Sequence, residues 1–197
     1  MANSDTKLAV ILEEKDPAIP VPARMAHIVF YTAKYAEMKA WYQRVFNATL
    51  VRERHARQAF FTFDSEHHRI LVSHQPHVTD RPRDSAGVAH VAWTYENLKD
   101  LFSTYDRLKN AGIMPDRTVN HGMTTSLYYR DPDNNRIELQ VENFDDPIDA
   151  IALVQSDAFD NTEFDADSLS AAVASGISES RLKSQRNLAA MIESGEI

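Results

Sequence analysis

Two segments of this chain repeat each other, and the repeat limits the fold more than any other feature. Ala26-His27-Ile28-Val29-Phe30-Tyr31-Thr32 and Ala89-His90-Val91-Ala92-Trp93-Thr94-Tyr95 are both β-type runs with a histidine in the same place. A stretch with helical apolar spacing follows each of them. In the first half it is Tyr35, Met38, Trp41, Tyr42, Val45 and Phe46, and in the second Leu98, Leu101, Phe102, Tyr105 and Leu108. Three further β-type runs come after each helix, at 48–56, 58–63 and 69–74, then near 113–120, 123–130 and 136–142. The halves are offset by 63 residues at the histidines. They are offset by 67 where Arg69-Ile70-Leu71 matches Arg136-Ile137-Glu138, so about four residues are inserted between. The order βαβββ therefore occurs twice. One such unit leaves a sheet face uncovered, and two can complete each other's cup. The expected class is α+β, with two βαβββ modules forming a cup-shaped mixed sheet around a metal site.

Punctuation along the chain sets the boundaries. Residues 1–24, with Pro17, Pro20 and Pro22, read as an N-terminal arm with a short helix around Leu8–Glu14. The first module is expected at 25–75, a polar linker at 76–86, and the second module at 87–144. Asn47 suits the left-handed position that ends a helix, and Asp131-Pro132-Asp133-Asn134-Asn135 reads as a turn. Residues 145–197 are acidic, then rich in Ala and Ser. They are expected to form a helical C-terminal extension, with a helix over 178–193 carrying Leu182, Leu188, Met191 and Ile192. This extension is expected to pack on the core or on a second subunit, and a homo-oligomer is expected.

Composition removes several classes of function. The formal net charge of -8 opposes a phosphate backbone, so no nucleic-acid partner is expected. There is no cysteine, hence no disulfide and no thiolate metal site. No basic start leads into an apolar run, and no stretch approaches the ~18–20 apolar residues of a membrane span. No membrane partner and a cytoplasmic protein are the expectations.

The chemistry lies in His27, His90 and Glu138. Two histidines and a carboxylate on separate strands make one face of a metal site with open positions, a set that suits iron(II) and oxygen. These strands, the aromatic helix with Trp41, Tyr42 and Phe46, and the run from Leu127 to Glu138 resemble the vicinal oxygen chelate superfamily over residues 26–144. That superfamily includes glyoxalases, bleomycin- and fosfomycin-resistance proteins and dioxygenases. Asn47 and Asn134 stand where the family usually has Gly. Within it, the chain most resembles the type I extradiol catechol dioxygenases in a small two-module form, of the 2,3-dihydroxybiphenyl 1,2-dioxygenase kind.

The resemblance implies iron(II), with manganese(II) as the other acceptable ion, held by His27, His90 and Glu138. Leu71 is the first-module counterpart of Glu138, where glyoxalase I-like members use a fourth ligand, and an apolar Leu cannot bind a metal. His121 is similar to the family's acid–base histidine and Tyr128, ten residues before Glu138, to its hydroxyl-donating tyrosine. The implied partners are a small aromatic diol and O2. A glyoxalase-like isomerase, epimerase or lyase is the alternative, followed by a drug-binding protein of the bleomycin-resistance kind. His67 and His68 read as solvated turn residues, His55 as a surface residue, and His74 and His77 as candidates for the cup mouth. Phe61, Phe63 and Trp93 are candidates to hold the substrate ring.

Overall fold

The computed structural model describes residues 16–156 and 160–197, so the expected helix at 8–14 lies outside the described residues. Strand β1 (Ile28–Thr32) leads into helix α1 (Tyr35–Phe46), followed by β2 (Thr49–Arg54), β3 (Gln58–Thr62) and β4 (Ile70–His74). The second half repeats the order with β5 (Val91–Thr94), α2 (Leu98–Asn110), β6 (Arg117–Asn120), β7 (Thr124–Arg130) and β8 (Arg136–Glu142). The extension adds α3 (Pro147–Val154), β9 (Thr162–Glu163), α4 (Ala166–Ala174), α5 (Glu179–Lys183) and α6 (Gln185–Glu193). Among the described residues no helix is long and apolar enough to cross a membrane.

Local chemistry explains the element ends. Asn47 closes α1 at φ 48° and ψ 37°, the left-handed conformation that an amide side chain tolerates. Asn97 opens α2 by accepting the Asp100 N–H at 2.8 Å. His55 and Ala56, at φ 51° and 48°, make the tight hairpin between β2 and β3. The 178–193 helix is broken in two at Ser184, whose ψ of 112° is extended and whose hydroxyl caps α6.

The expected single cup is built from two sheets, one ordered β1-β4-β3-β2 and the other β5-β8-β7-β6-β9. Each module pairs its first and last strands in parallel, β1 with β4 and β5 with β8. Alternation then sorts the faces. Phe61, Ile70 and Val72 pack under Met38, Tyr42 and Val45 of α1, all fully buried. Leu127, Tyr129, Ile137 and Leu139 pack under Leu98, Leu101 and Leu108 of α2, again fully buried. The opposite faces are left for other work. β1 and β5 are both edge strands, and residues of both line two clefts. One cleft sets residues 25–28 beside 91–94, and the other sets 28–30 beside 88–91. The two strands thus pass each other in opposite directions.

The extension packs on the chain's own core. Tyr105 and Lys109 of α2 bond Asp167 of α4, and Ser170 donates to Asp106. β9 lengthens the second sheet by pairing with β6. The modules are also tied directly. Tyr42 of α1 donates at 2.9 Å to Asp131 in the turn between β7 and β8, and the Arg107 guanidinium holds the carbonyl of Val45 at 3.0 Å.

Candidate active site

Register decides which side chains share the open face of the second sheet. Tyr128 of β7 lies opposite Glu138 of β8, and Glu138 lies opposite Ala92 of β5. Arg117 of β6 lies opposite Tyr128, and the same parity carries down to His121 just past the strand end. A continuous polar run results. His121 Nε2 is 2.9 Å from the Tyr128 hydroxyl, which donates to Glu138 Oε1 at 2.8 Å. His90 Nε2 lies 2.9 Å from Glu138 Oε2.

Burial sharpens this arrangement. Glu138 is only 4% exposed, so a carboxylate that would otherwise be costly to bury is held between a phenol and an imidazole. Burial first, and then the hydrogen bond and charge of Glu138, push the Tyr128 phenol well above its ordinary range. It therefore stays a hydroxyl donor through neutral and mildly alkaline pH. The Arg136 guanidinium sits 4.5 Å from the Tyr128 ring centroid and confines the ring from one side.

The parallel pairings also test the internal repeat. Ile28 pairs with Ile70 and Val91 with Ile137, so the next residues along, Leu71 and Glu138, occupy equivalent places. The module that carries Glu138 in β8 thus faces a module with a hydrocarbon at the matching point.

The sequence of residues 24–139 matches the family model described as Glyoxalase/Bleomycin resistance protein/Dioxygenase superfamily. The chain belongs to this superfamily. Two curated relatives from Rhodococcus globerulus are similar to it. It is 44% identical over 131 residues to Biphenyl-2,3-diol 1,2-dioxygenase 2, spanning 66% of this chain and 68% of the relative. It is 38% identical over 168 residues to Biphenyl-2,3-diol 1,2-dioxygenase 3, spanning 82% and 88%. Among solved structures, a glyoxylase/bleomycin resistance protein/dioxygenase domain from Frankia sp. EAN1pec is similar in fold. It has a TM-score of 0.52 and 20% identity over 62% of this chain and 99% of that one.

Within this member of the superfamily, the expected site residues are brought together unequally. His90, Glu138, Tyr128 and His121 form one hydrogen-bonded run. His27 is exposed just before β1, and its ring stacks on His68 with centroids 4.4 Å apart. Among the described residues, no three His, Asp or Glu side chains stand close enough together to hold an ion. His27 nevertheless lines the same cleft of about 280 Å³ as Ala92, the residue paired with Glu138. The pair that does meet, the His90 imidazole and the Glu138 carboxylate, has the donor chemistry of a divalent-ion site.

Sequence reasoning took His68 for a solvated turn residue and passed over Asn161. His68 is half-buried against His27, and burial first, then the neighbouring His27 and His67, lowers its pKa. The signal was the adjacent histidine pair just before β4, on the strand that runs beside β1. Asn161, in the extension, meets His121 Nδ1 through its side-chain oxygen. No local pattern pointed to it. Of the ring-holding candidates, Phe63 and Trp93 line clefts between the modules, whereas Phe61 is fully buried under α1 and has no access to them.

Proposed function

We propose that this chain is an extradiol dioxygenase, which opens the ring of a small catechol-type diol with O2 beside its two hydroxyls. The run His121–Tyr128–Glu138–His90 along one sheet face carries this reading. The relatives support it, since the name biphenyl-2,3-diol 1,2-dioxygenase puts the cut at C1–C2, outside the C2,C3 diol. These relatives imply a metal. We assign iron(II), with manganese(II) as the alternative, to His27, His90 and Glu138. Leu71 offers no fourth ligand, which favours a bidentate diol over glyoxalase-like isomerase or lyase chemistry. A buried carboxylate flanked by imidazole has no evident use in a protein that only sequesters a drug.

Bound iron(II) would acidify a coordinated hydroxyl and conduct electrons from diol to oxygen. The chain's own groups do the rest. Tyr128 donates to the substrate oxygen and orients the ring. His121 Nε2, beside that hydroxyl, takes the second diol proton and later returns it. Phe63 and Trp93 offer apolar walls. Both oxygen atoms end in the ring-opened product. His68, stacked on His27, is the other imidazole placed to move a proton, and comparing His121→Ala with His68→Ala separates the two. The exposed Val29 and Tyr31 on the first sheet favour self-association as a homo-oligomer, which sedimentation velocity would show.

The test is anaerobic loading with iron(II), then oxygen uptake with catechol, 3-methylcatechol and 2,3-dihydroxybiphenyl. One oxygen consumed per diol with a yellow product is expected. Iron bound without uptake would move the reading to isomerase-type chemistry. Tyr128→Phe should keep its iron and lose about 100-fold in kcat, the usual cost of one donor aimed at a reacting oxygen. Unchanged turnover would remove Tyr128 from the reaction.

A further inference from the structure

The C-terminal extension reaches the site at one point. β9 pairs antiparallel with β6, Val119 opposite Glu163 and Asn120 opposite Thr162. The next step of that register sets Asn161 opposite His121, and the Asn161 side-chain oxygen contacts His121 Nδ1. The contact is built rather than casual. Gln185 of α6 donates at 2.7 Å to the carbonyl of Asp160, the residue before Asn161, and at 3.3 Å to the carbonyl of Asn120, the residue before His121. Asn120 donates to the Lys183 carbonyl at 3.0 Å and accepts from Gly122 N–H at 2.7 Å. The chain on either side of the Asn161–His121 pair is therefore pinned by one side chain.

A carbonyl oxygen can only accept, so the imidazole nitrogen facing it must carry the proton. In neutral His121 that leaves Nε2 bare and able to accept from the Tyr128 hydroxyl, whose one proton serves either Nε2 or Glu138 Oε1 but not both. A free imidazole favours the opposite arrangement, with the proton on Nε2, in which His121 could not accept a proton at the substrate. We propose that Asn161 is a positioning residue for ring cleavage. It holds His121 in the Nδ1–H tautomer and so makes Nε2 the proton acceptor. This rests on the role given to His121 above. It also gives the extension, which lies outside the matched family region of 24–139, a part in the reaction.

The test uses full-length protein and two readouts. Long-range 1H–15N spectra of metal-free protein should show His121 with its proton on Nδ1 in the wild type, and on Nε2 or in exchange in Asn161→Ala. With iron loaded, Asn161→Ala should lose about 10- to 100-fold in kcat with KM for the diol little changed, as expected for a misplaced catalytic group. Asn161→Asp keeps an acceptor oxygen and should recover most of the rate. A wild-type tautomer in Asn161→Ala, or no rescue by Asp, would overturn the proposal. His121→Ala is the separate control. If that variant turns over normally, the role of His121 fails, whatever its tautomer.

Discussion

Glu138→Ala is expected to leave the fold standing while iron binding and oxygen uptake are both lost. Each contact of this carboxylate is with a site residue, Tyr128 on one oxygen and His90 on the other. Neither partner is stranded by its removal. The Tyr128 hydroxyl keeps His121 at 2.9 Å, and His90 is 39% exposed and can turn to water. A carboxylate this deeply buried also contributes little net stability, because desolvation offsets its hydrogen bonds. Metal-free wild type and variant should therefore melt within a few degrees of each other. The loss should appear only where the ion matters. Without the carboxylate the site has two imidazoles and no negative charge to hold a dication. Uptake should fall by more than about 1000-fold, since the ion supplies several kcal/mol of barrier lowering. His90→Ala and His27→Ala should behave alike in iron content. His27 is the sharper case, because its ring rests on His68 and must leave that stack to reach an ion beside Glu138. Full iron content in His27→Ala, measured by metal analysis, would remove His27 from the ligand set. Full iron content in Glu138→Ala would remove the whole assignment.

What the sequence made legible was whatever repeats or alternates. Both long helices follow from apolar spacing, and α1 ends at the expected Asn47. The equivalence of Leu71 and Glu138, reached by counting residues, reappears as strand register. Tyr128 facing Glu138 follows from a turn of known length between two strands. Three things were hidden, each for a physical reason. The first is that the cup is two sheets meeting at β1 and β5, because edge-to-edge packing leaves no mark on either strand's alternation. The second is the stack of His27 on His68, which depends on how β1 lies beside β4. The third is β9. Two residues cannot display a period, so Thr162 and Glu163 look like loop, and the meeting of Asn161 with His121 lies 40 residues apart in sequence.

The largest loss of stability from one substitution is expected at Asp131, in the turn that sets the β7–β8 register. Its carboxylate accepts four hydrogen bonds. Tyr42 OH and Asn135 Nδ2 reach one oxygen at 2.9 and 2.8 Å, and the backbone N–H groups of Asp133 and Asn135 reach the other at 3.0 and 2.8 Å. Tyr42 is wholly buried in the first module, so Asp131→Ala strands a phenol in the core and frees the turn in one step. Each buried donor left without a partner costs about 1–3 kcal/mol, and such costs overlap, so a total of about 3–5 kcal/mol is expected. For a domain of this size that lowers Tm by roughly 10 °C or more. Tyr42→Phe removes only one of the four bonds and should cost about 1 kcal/mol. Acid titration gives an independent check. Burial raises the Asp131 pKa, against the opposing pull of Asn135 and Tyr42. The folded state therefore binds this proton more tightly than the unfolded chain does. The resulting stabilisation is complete below the unfolded carboxyl pKa and is lost as pH rises through the folded value. Relative to Asp131→Asn, which cannot titrate, the wild type should lose urea resistance across that window as pH rises. A gap independent of pH would mean that water reaches Asp131. A melting temperature for Asp131→Ala within about two degrees of wild type, a difference of no more than about 1 kcal/mol, would mean that Tyr42 does not depend on this carboxylate.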